Sequence, residues 1–443
     1  MENRKKRRGV RGPATAAAGS NFREFVFMLE PCKGNQTLRR GRLDGCAFSL
    51  VDKNGVDLFY GLASSTKGDD TRKQIFSAFE NLEKAMEEVD VCAPVKLDIF
   101  LREIGDKQLV RAIMSEMWGD YLVPATTFIA QKPCDESKAI VIEAIAVNPS
   151  DDETSTPVSV YNQGEHATIL EYGGVSLGFF GGFIPGEETV GAYARSFDAF
   201  AKMRAEVESN GFLFPQVYRT WLYQGHIVLE EGDTQRYKEL NRARSDFFYG
   251  TRFIERWLPK GVPHGTLYPA STGIGADDVD IAMSCQTFQS DREDALVVPI
   301  ENPNQTPAFD YAEFYSPKSP KFSRACAVSY NGRCSVYVSG TASIVDQKTV
   351  FIGDPAGQTN QTLDNIAALI SGDNLKRHGI DRFGAELADL ALARVYVKRP
   401  EYFDAVRGVC EKRLPGVPLV YTYADVCRDD LLVEVEGIAS CKE

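Results

Sequence analysis

An order of strands and helices recurs along the chain, and this repetition restricts the possible folds more than any other feature of the sequence. Residues 58–64 (LFYGLAS) and 337–343 (YVSGTAS) both have the pattern of a short apolar strand that ends at a glycine and a small-residue turn. A helix with apolar residues at helical spacing follows each of them. Such self-similarity indicates that one supersecondary unit is present in several copies.

The later parts of these two copies match as well. Each continues with a strand, a second helix and a last strand that ends in a similar way, IVIEAIA in the first copy and LVEVEGIA in the last. The matched positions are Gln74 and Gln358, Asn81 and Asn365, Cys134 and Cys427, and Glu143 and Glu436. Because these matches keep the same order, the first and last segments are predicted to share one fold.

A third, more diverged copy lies between them. Its strand, helix, strand, helix and final turn with strand are predicted at 174–181, 192–211, 217–225, 236–250 and 267–288. Strands that alternate with amphipathic helices favour an α/β architecture with helices on one face of a mixed sheet. The chain is therefore predicted to contain three fused units of one α/β type.

Composition shifts mark the boundaries between the units. The segment NPSDDETSTP after the first unit is polar and flanked by proline, and the segment before residue 322 is rich in proline. The expected divisions are a disordered basic arm (1–22), a first unit (23–147), a second unit (155–300), a proline-rich connector (301–321) and a third unit (322–443).

The charge and cysteine content exclude several classes of function. The net charge of −12 gives no electrostatic footprint for nucleic acid, and no apolar run is long enough to span a membrane. The basic start has no apolar segment after it, which argues against a secretory signal. The ten cysteines form no CxxC pair and the four histidines are far apart, so a metal site and a cofactor are not expected. A soluble cytoplasmic protein with reduced thiols is expected.

The first and last units resemble the Rid (YjgF-like) family in the strand with its Gly and small-residue turn, the Gln…Asn helix and the closing strand. Rid proteins are homotrimers with a site in each cleft between subunits, so the resemblance implies a monomer that forms its own pseudo-trimer. Rid deaminases use an arginine where this chain has Thr126, Ser271 and Leu419. Their glutamate position is Val141 in the first unit and Glu434 in the third. Loss of the arginine argues against imine deamination, because a substrate carboxylate loses its bidentate partner.

The second and third units together resemble the chorismatases over about residues 155–440. The motifs that carry the resemblance are RTWLY, NRARSDFF, PASTGIG, VPIENP, YSPKSPKFSRA, VSGTASIV, GDPAGQTNQTLDNI and CRDDLLVEVEG. It implies cleavage of the enolpyruvyl vinyl ether of chorismate to pyruvate plus 3-hydroxybenzoate or a dihydroxycyclohexadiene carboxylate. The first unit appears as an addition to this pattern.

Several residues become candidates for this chemistry. The resemblance makes Glu434 the acid that protonates the vinyl ether, which requires a raised pKa. It also places Cys427 and Gly340 as in the 3-hydroxybenzoate-forming branch, although Cys134 at the equivalent position favours a structural role for Cys427. The candidates for binding the two carboxylates and the ring are Arg219, Tyr223, Arg244, Thr272, Gly273, Arg324, Gly340, Thr341, Ala342 and Ser343, with Arg242 as a substitute for Arg244.

Plainer interpretations remain open for each candidate. A single arginine more often forms a surface ion pair, and the glycine-rich segments are also typical of ordinary tight turns. Two other functions fit the same motifs: a Rid-like imine or enamine deaminase, and a non-catalytic protein that binds a small molecule.

Overall fold

The computed structural model describes residues 29–443 except 120–122, 151–155, 263–264, 266, 279 and 313–317, so the basic arm lies outside the described residues. The first seven strands form one sheet in the order β1-β2-β3-β4-β7-β5-β6. Its elements are β1 (Glu30–Cys32), β2 (Asn35–Leu43), β3 (Cys46–Asp52), β4 (Asp57–Ser64), α1 (Thr71–Glu87), β5 (Ala93–Leu101), α2 (Lys107–Trp118), β6 (Ala125–Ile129) and β7 (Ile140–Val147).

The second sheet has six strands in the order β14-β11-β15-β10-β9-β8, and a two-stranded ribbon, β12-β13, precedes its second helix. Its elements are β8 (Val158–Asn162), β9 (Ala167–Tyr172), β10 (Val175–Phe183), α3 (Ala192–Ser209), β11 (Val217–Gly225), β12 (Glu230–Glu231), β13 (Thr234–Gln235), α4 (Arg236–Phe247), β14 (Ala270–Ala276) and β15 (Ile281–Ser290).

The third sheet also has six strands, in the order β16-β17-β18-β23-β21-β22, with the ribbon β19-β20 beside it. Its elements are β16 (Leu296–Ile300), β17 (Ala325–Tyr330), β18 (Arg333–Ala342), β19 (Ile344–Val345), β20 (Lys348–Thr349), α5 (Pro355–Ile370), α6 (Gly372–Arg377), β21 (Leu390–Val397), α7 (Phe403–Arg413), β22 (Leu419–Tyr423) and β23 (Val433–Ser440).

All three sheets share one topology, which confirms the predicted fold class of repeated mixed α/β units. In each sheet the last strand (β7, β15 or β23) lies in the interior between two antiparallel neighbours. Each sheet also has one parallel pair, β5 with β6, β11 with β14, and β21 with β22. A helix connects the two strands of each parallel pair, as parallel strands require a crossover connection.

One strand lies in a different unit from the one that the sequence indicates. β16 ends the segment that was assigned to the second unit, yet it pairs with β17 in the third sheet, from Leu296 opposite Ser329 to Ile300 opposite Ala325. β16 is thereby the edge strand of the third sheet, and its pairing with a strand beyond the connector is not visible in the local sequence pattern. The other division points stay predictions.

The matched glutamines and asparagines of the repeat have equivalent structural roles. Asn81 donates to the carbonyl of Ser64 (2.8 Å), and Asn365 donates to the carbonyls of Ala342 (3.0 Å) and Ile344 (2.9 Å), so both fix the turn after the strand. The two glutamines accept a hydrogen bond from the backbone just before the last strand: Ala139 donates to Gln74 and Leu432 donates to Gln358, each at 2.8 Å. The repeated side chains therefore join the first helix of a unit to its sheet.

Local signals also explain where these helices begin. Asp70 caps α1 by accepting from the backbone N–H of Lys73 at 2.8 Å, and Asp354 caps α5 by accepting from Gly357 at 2.9 Å. Pro355 occupies the first position of α5, where its missing N–H costs no hydrogen bond. The cap and proline together define the start of the helix that carries Gln358 and Asn365.

The loop after β6 joins the first unit to the other two. Gln131 is buried and donates to the carbonyl of Gly275 in the second unit (2.6 Å), while Thr422 of the third unit donates to its Oε1 (3.2 Å). Nearby, Asp277 donates a backbone hydrogen bond to Ala130 (2.7 Å). The three units are thus arranged around a common centre, each in contact with the other two.

A buried group of ionic and aromatic side chains, the central cluster, occupies this centre. Its members are Lys96, Asp98 and Glu143 of the first unit, Arg219, Trp221, Tyr223 and Thr272 of the second, and Arg394, Tyr396 and Glu436 of the third. It contains three cations and three carboxylates. Buried ions are tolerated only when they are paired and hydrogen-bonded, and the cluster meets that condition.

Arg394 connects the three units within the central cluster. It binds both oxygens of Glu143 (2.6 and 2.7 Å), forms an ion pair with Asp98, and donates to the hydroxyl of Tyr223 at 2.5 Å. It also lies 3.2 Å from Oε1 of Glu436. Burial alone would raise the pKa of Asp98, but Lys96 and Arg394 outweigh this and lower it.

The apolar core surrounds this cluster and extends under the helices. One large group of buried side chains has members from all three sheets, and separate groups fill the space between sheet and helices in the first and third units. Among the described residues, no helix has the length and apolar character needed to cross a membrane.

We expect Arg394→Met to lower the free energy of unfolding by about 3–5 kcal/mol, because it leaves the buried carboxylates of Asp98 and Glu143 without their shared partner. The matched control is Arg407→Ala, which removes an exposed pair with Glu411 (3.1 Å) and should cost less than about 1 kcal/mol. Urea denaturation followed by circular dichroism measures both. A loss below 1 kcal/mol for the Arg394 variant would contradict a central role for this ion.

Candidate active site

A cavity of about 230 Å³ lies between the second and third units. The second unit contributes residues of the ribbon, of α4 and of β14, and the third contributes the end of β18, the start of β19, the loop before β23, and β23 itself. The lining residues are Gln235, Tyr237, Arg244, Ser271, Gly273, Tyr311, Pro320, Phe322, Arg324, Gly340, Ala342, Ile344, Cys427, Arg428, Asp429, Leu431 and Glu434. The cavity thus has two basic walls and one buried carboxyl group.

Glu434 is the buried carboxyl group of this cavity. Strand alternation in β23 points Val433 and Val435 into the helix-side core, so Glu434 and Glu436 lie on the opposite face. Burial and, after it, the negative charge of Glu436 raise the pKa of Glu434, while Arg324 and Arg219 lower it, and the resulting pKa is about 8. At neutral pH the group is therefore mostly a protonated acid, as a proton donor requires.

Gly340 faces Glu434 across the strand pair β18–β23. A Cβ atom at this position would overlap Oε1 of Glu434 and would lie 3.1 Å from Cγ2 of Thr272. The backbone N–H of Gly340 donates to Oγ1 of Thr272 (2.9 Å), which holds this segment against the second unit. The absence of a side chain at residue 340 therefore provides the space in which the carboxyl group lies.

Two buried arginines supply positive charge to the cavity. Arg244 donates to Oδ1 of Asn241 (2.5 Å) and lies near Ser271, and Arg324 donates to the hydroxyl of Tyr311 (2.5 Å). The Nε atom of each arginine is buried and has no hydrogen-bond partner among the described residues. Unpaired buried donors of this kind are costly. Both arginines line the cavity, where a guanidinium group can bind an anionic ligand.

Cys427 lines the cavity beside Tyr237 and Glu434. Burial raises the pKa of its thiol to about 11, and burial also raises the pKa of Tyr237. A thiol with such a raised pKa is a weak nucleophile at neutral pH. The environment therefore supports a role for Cys427 in the shape and polarity of the cavity rather than as a nucleophile.

Two predicted binding residues lie elsewhere. Arg219 does not line the cavity, because it is buried in the central cluster, where it pairs with Glu436 and donates to Thr272 (2.7 Å). Tyr223 is also in the central cluster, where it accepts from Arg394, and it borders a different cavity between the first and second units. The alternation of RTWLY correctly predicts one shared face, but that face points to the centre of the three units.

Three further candidates support the cavity wall without lining it. Thr272 donates its hydroxyl hydrogen to Glu436 and accepts from Arg219, so its side chain belongs to the central cluster. The hydroxyl groups of Thr341 and Ser343 donate to the backbone carbonyls of Ser339 and Val350, each at 2.9 Å. Gly273, Gly340 and Ala342 do line the cavity. Arg242 is exposed, pairs with Glu239 and does not line the cavity, so it does not replace Arg244.

The sequence interpretation missed several aromatic residues of the wall. Tyr237 lies one turn before the NRARSDFF motif, Tyr311 lies within the proline-rich connector, and Phe322 directly follows it. The guanidinium groups of Arg244 and Arg324 lie 5.5 and 5.3 Å from the ring centre of Phe322. The signal that could have found them in the sequence was the presence of aromatic residues in and beside a connector that otherwise has the composition of a linker.

Two other cavities lie at corresponding places between the units. One, of about 310 Å³, lies between the third and first units, and another, of about 110 Å³, lies between the first and second. The sheet registers pair Phe100 with Val141, Tyr223 with Ala282, and Tyr396 with Glu434, which makes the second residue of each pair equivalent. Val141 and Ala282 line these cavities, so only the cavity with Glu434 has a carboxylic acid at this position.

Repeated α/β units around a central cluster, with one acid and two arginines in a cleft, define an enzyme built on a pseudo-trimer. No protein-family model matches the chain. It is 35% identical over 260 residues to a 3-hydroxybenzoate synthase from Streptomyces hygroscopicus, which covers 57% of this chain and 69% of that protein. It is 37% identical over 230 residues to a chorismatase from Streptomyces rapamycinicus, which covers 51% of this chain and 65% of the relative. The chain belongs to the chorismatase family.

A crystal structure of a chorismatase has the same fold. It superposes with a TM-score of 0.61 at 23% identity, over 87% of this chain and 98% of the other. The matched 87% of this chain is longer than residues 155–440, so the match includes part of the first unit. The first unit therefore has a counterpart in that chorismatase and is not an addition to its fold.

We expect Cys427 to resist alkylation. With a pKa of about 11, only about 0.1% of the thiol is ionised at pH 8. Iodoacetamide at pH 8 should label the exposed Cys92 well before Cys427, as measured by peptide mass spectrometry over time. Labelling of Cys427 at the rate of Cys92 or faster would contradict the inert environment and would restore the nucleophilic role.

Proposed function

We propose that this protein is a chorismatase that releases pyruvate from chorismate, with Glu434 as the acid that starts the reaction. The observation that carries the proposal is the buried carboxyl group of Glu434, with its pKa raised to about 8, in a cavity with Arg244 and Arg324. The cavity volume of about 230 Å³ is slightly below the range of about 300–1,000 Å³ that is typical of ligand sites, which suits a substrate with one six-membered ring.

The reaction begins with proton transfer to carbon. Glu434 donates its proton to the methylene carbon of the enolpyruvyl group, and the ether carbon becomes an oxocarbenium ion. An oxygen nucleophile then adds to this carbon, the bond between the carbon and the ring oxygen breaks, and pyruvate leaves. Glu434 is left as a carboxylate and must recover a proton before the next turnover.

Arg244 and Arg324 bind the two carboxylates of the substrate in this proposal. A guanidinium group presents parallel donors that fit a carboxylate, and both arginines have an unused buried Nε donor. Phe322 lies against both guanidinium groups and limits their movement. Fixing the dianion in this way holds the methylene carbon near Glu434, and such orientation contributes much of the catalytic effect.

Gly340 and Cys427 border the place where the cation forms, and we propose that they decide which nucleophile adds. If water adds, the ring product is a dihydroxycyclohexadiene carboxylate and one water molecule is consumed. If the ring's own hydroxyl group adds and loses its proton, a cyclic ketal forms, and the bond from its carbon to the original ether oxygen breaks. The bond between the ring and the former hydroxyl oxygen then breaks, so that this oxygen leaves as the carbonyl of pyruvate, and the ring loses the proton from the carbon that bears the remaining oxygen to give 3-hydroxybenzoate. The atoms of the two products together equal those of chorismate. The small residue at 340 and the apolar thiol at 427 favour the second route.

The site requires one chain, because the same polypeptide provides both of its walls. We therefore propose that the monomer acts as its own pseudo-trimer. All ten cysteines are free thiols, which supports a reducing compartment such as the cytoplasm.

Glu434→Gln should reduce pyruvate release from chorismate by at least about 1,000-fold while the fold stays intact, because an amide cannot donate the proton. In the wild type the donor is the protonated form, so kcat should be constant below the pKa of about 8 and fall as the pH rises above it. A lactate dehydrogenase-coupled assay measures pyruvate, and Glu401→Gln on the exposed surface is the control. Near-normal turnover in Glu434→Gln would refute the role of this residue.

The double variant Gly340→Ala and Cys427→Ala should shift the product from 3-hydroxybenzoate towards the dihydroxycyclohexadiene carboxylate. The added Cβ at residue 340 overlaps the carboxyl group of Glu434, so this group and the substrate ring must move apart. Chromatography of the aromatic and diene products measures the ratio. Gly408→Ala is the control, since its added Cβ meets no atom within 4 Å. An unchanged product ratio in the double variant would remove these two residues from the specificity argument.

A further inference from the structure

We propose that Glu436, together with the central cluster that holds it, is a positioning residue that keeps Glu434 in its protonated form, and that the first unit takes part through Asp98 and Glu143. The inference rests on the proposed function, because it concerns the acid of that reaction. It assigns a catalytic contribution to a unit that does not line the active-site cavity.

The first step of the argument is the geometry of β23. Glu434 and Glu436 are two residues apart on the same strand face, so their Cα atoms lie about 6–7 Å apart along the strand. One faces the cavity and the other faces the central cluster. Two neighbouring buried carboxyl groups do not both ionise readily, and the better-paired one takes the charge.

Glu436 is the better-paired of the two. Arg219 forms an ion pair with it, Arg394 lies 3.2 Å away, and Tyr396 donates to it at 2.8 Å. Trp221 and Thr272 also donate to its oxygens. Burial alone would raise the pKa of Glu436, yet Arg219 and Arg394 hold it below its usual value. Glu436 is therefore an anion throughout the working pH range and repels a second charge on Glu434.

The first unit keeps this arrangement electrically balanced. Arg394 and Lys96 would otherwise add positive charge near β23 and favour ionised Glu434. Glu143 binds Arg394 through both oxygens, and Asp98 pairs with both Arg394 and Lys96. The two carboxylates of the first unit thus neutralise the two cations. The negative charge of Glu436 then remains to raise the pKa of Glu434.

Other charged and titratable groups also face Glu434, and together they determine whether its pKa is raised or lowered. They are Glu436 on its own strand, Arg219 of β11, Arg324 before β17, Tyr237 and Arg244 of α4, and Cys427, Arg428 and Asp429 of the loop before β23. The arginines favour the carboxylate form of Glu434. Bound substrate carboxylates on Arg244 and Arg324 would cancel much of that effect, which leaves Glu436 as the determining neighbour.

The test uses both partners of one ion pair. Glu436→Gln removes the anion and should move the descending limb of the kcat–pH profile about one pH unit lower. Arg219→Met removes the cation of the same pair and should move the limb higher. Glu143→Gln should move it lower by a smaller amount. Lys53→Met is the control, because Lys53 is a buried cation at the contact of the first and third units that binds Ser335 (2.5 Å) outside the cluster.

Opposite shifts for the two partners of the pair would support the proposal, since general damage to the fold gives no reversal of sign. The proposal would be overturned if the descending limbs of the two kcat–pH profiles stay in place or move in the same direction. If Glu436→Gln does not fold, Glu143→Gln and Arg219→Met provide the same comparison of signs.

A second measurement separates this inference from the proposed function. Carbon-13 NMR of protein labelled at the glutamate carboxyl carbon follows the titration of Glu434 directly, with the signal assigned by its loss in Glu434→Gln. If the wild type releases no pyruvate from chorismate at any pH, the proposed function fails, and the NMR titration still decides whether Glu436 and Glu143 control the ionisation of Glu434.

Discussion

The ion pair between Arg394 and Glu143 is the contact on which the arrangement of the three units depends. It joins the third sheet to the first, and Arg394 extends the contact to Tyr223 of the second sheet and to Glu436. Buried ions without partners are strongly destabilising, so the charges can be buried only when all three sheets are in place. The same centre joins the second and third units, which together form the cavity with Glu434.

One fold repeated three times yields three clefts, yet they are chemically different. The position that carries Glu434 in one cleft carries Val141 in the second and Ala282 in the third. Neither of these side chains can donate a proton. Of these three clefts, the one between the second and third units has a carboxyl group at this position, while all three share one backbone topology. The first unit thus supports the site through assembly instead of through its own cleft.

Much of this architecture could be predicted from the sequence, because repeated local signals report repeated local structure. The Gln and Asn positions that align in the sequence make equivalent hydrogen bonds in both units. The partners of Arg219 could not be predicted in the same way. Alternation along a strand shows which residues share a face, but not whether that face meets a cavity or another unit. Glu436 lies more than two hundred residues away, and only the assembled fold brings it to Arg219.

The contrast between Glu434 and Glu436 shows how two identical side chains on one strand acquire different chemistry. Glu436 is surrounded by donors and cations, so it remains ionised, whereas Glu434 faces a cavity in which burial opposes ionisation. A carboxylic acid that stays protonated at neutral pH needs a low-polarity environment or a neighbouring anion, and β23 provides both. Because the neighbouring anion also pairs with the cations that join the units, assembly of the fold and acidity of the site depend on the same charge.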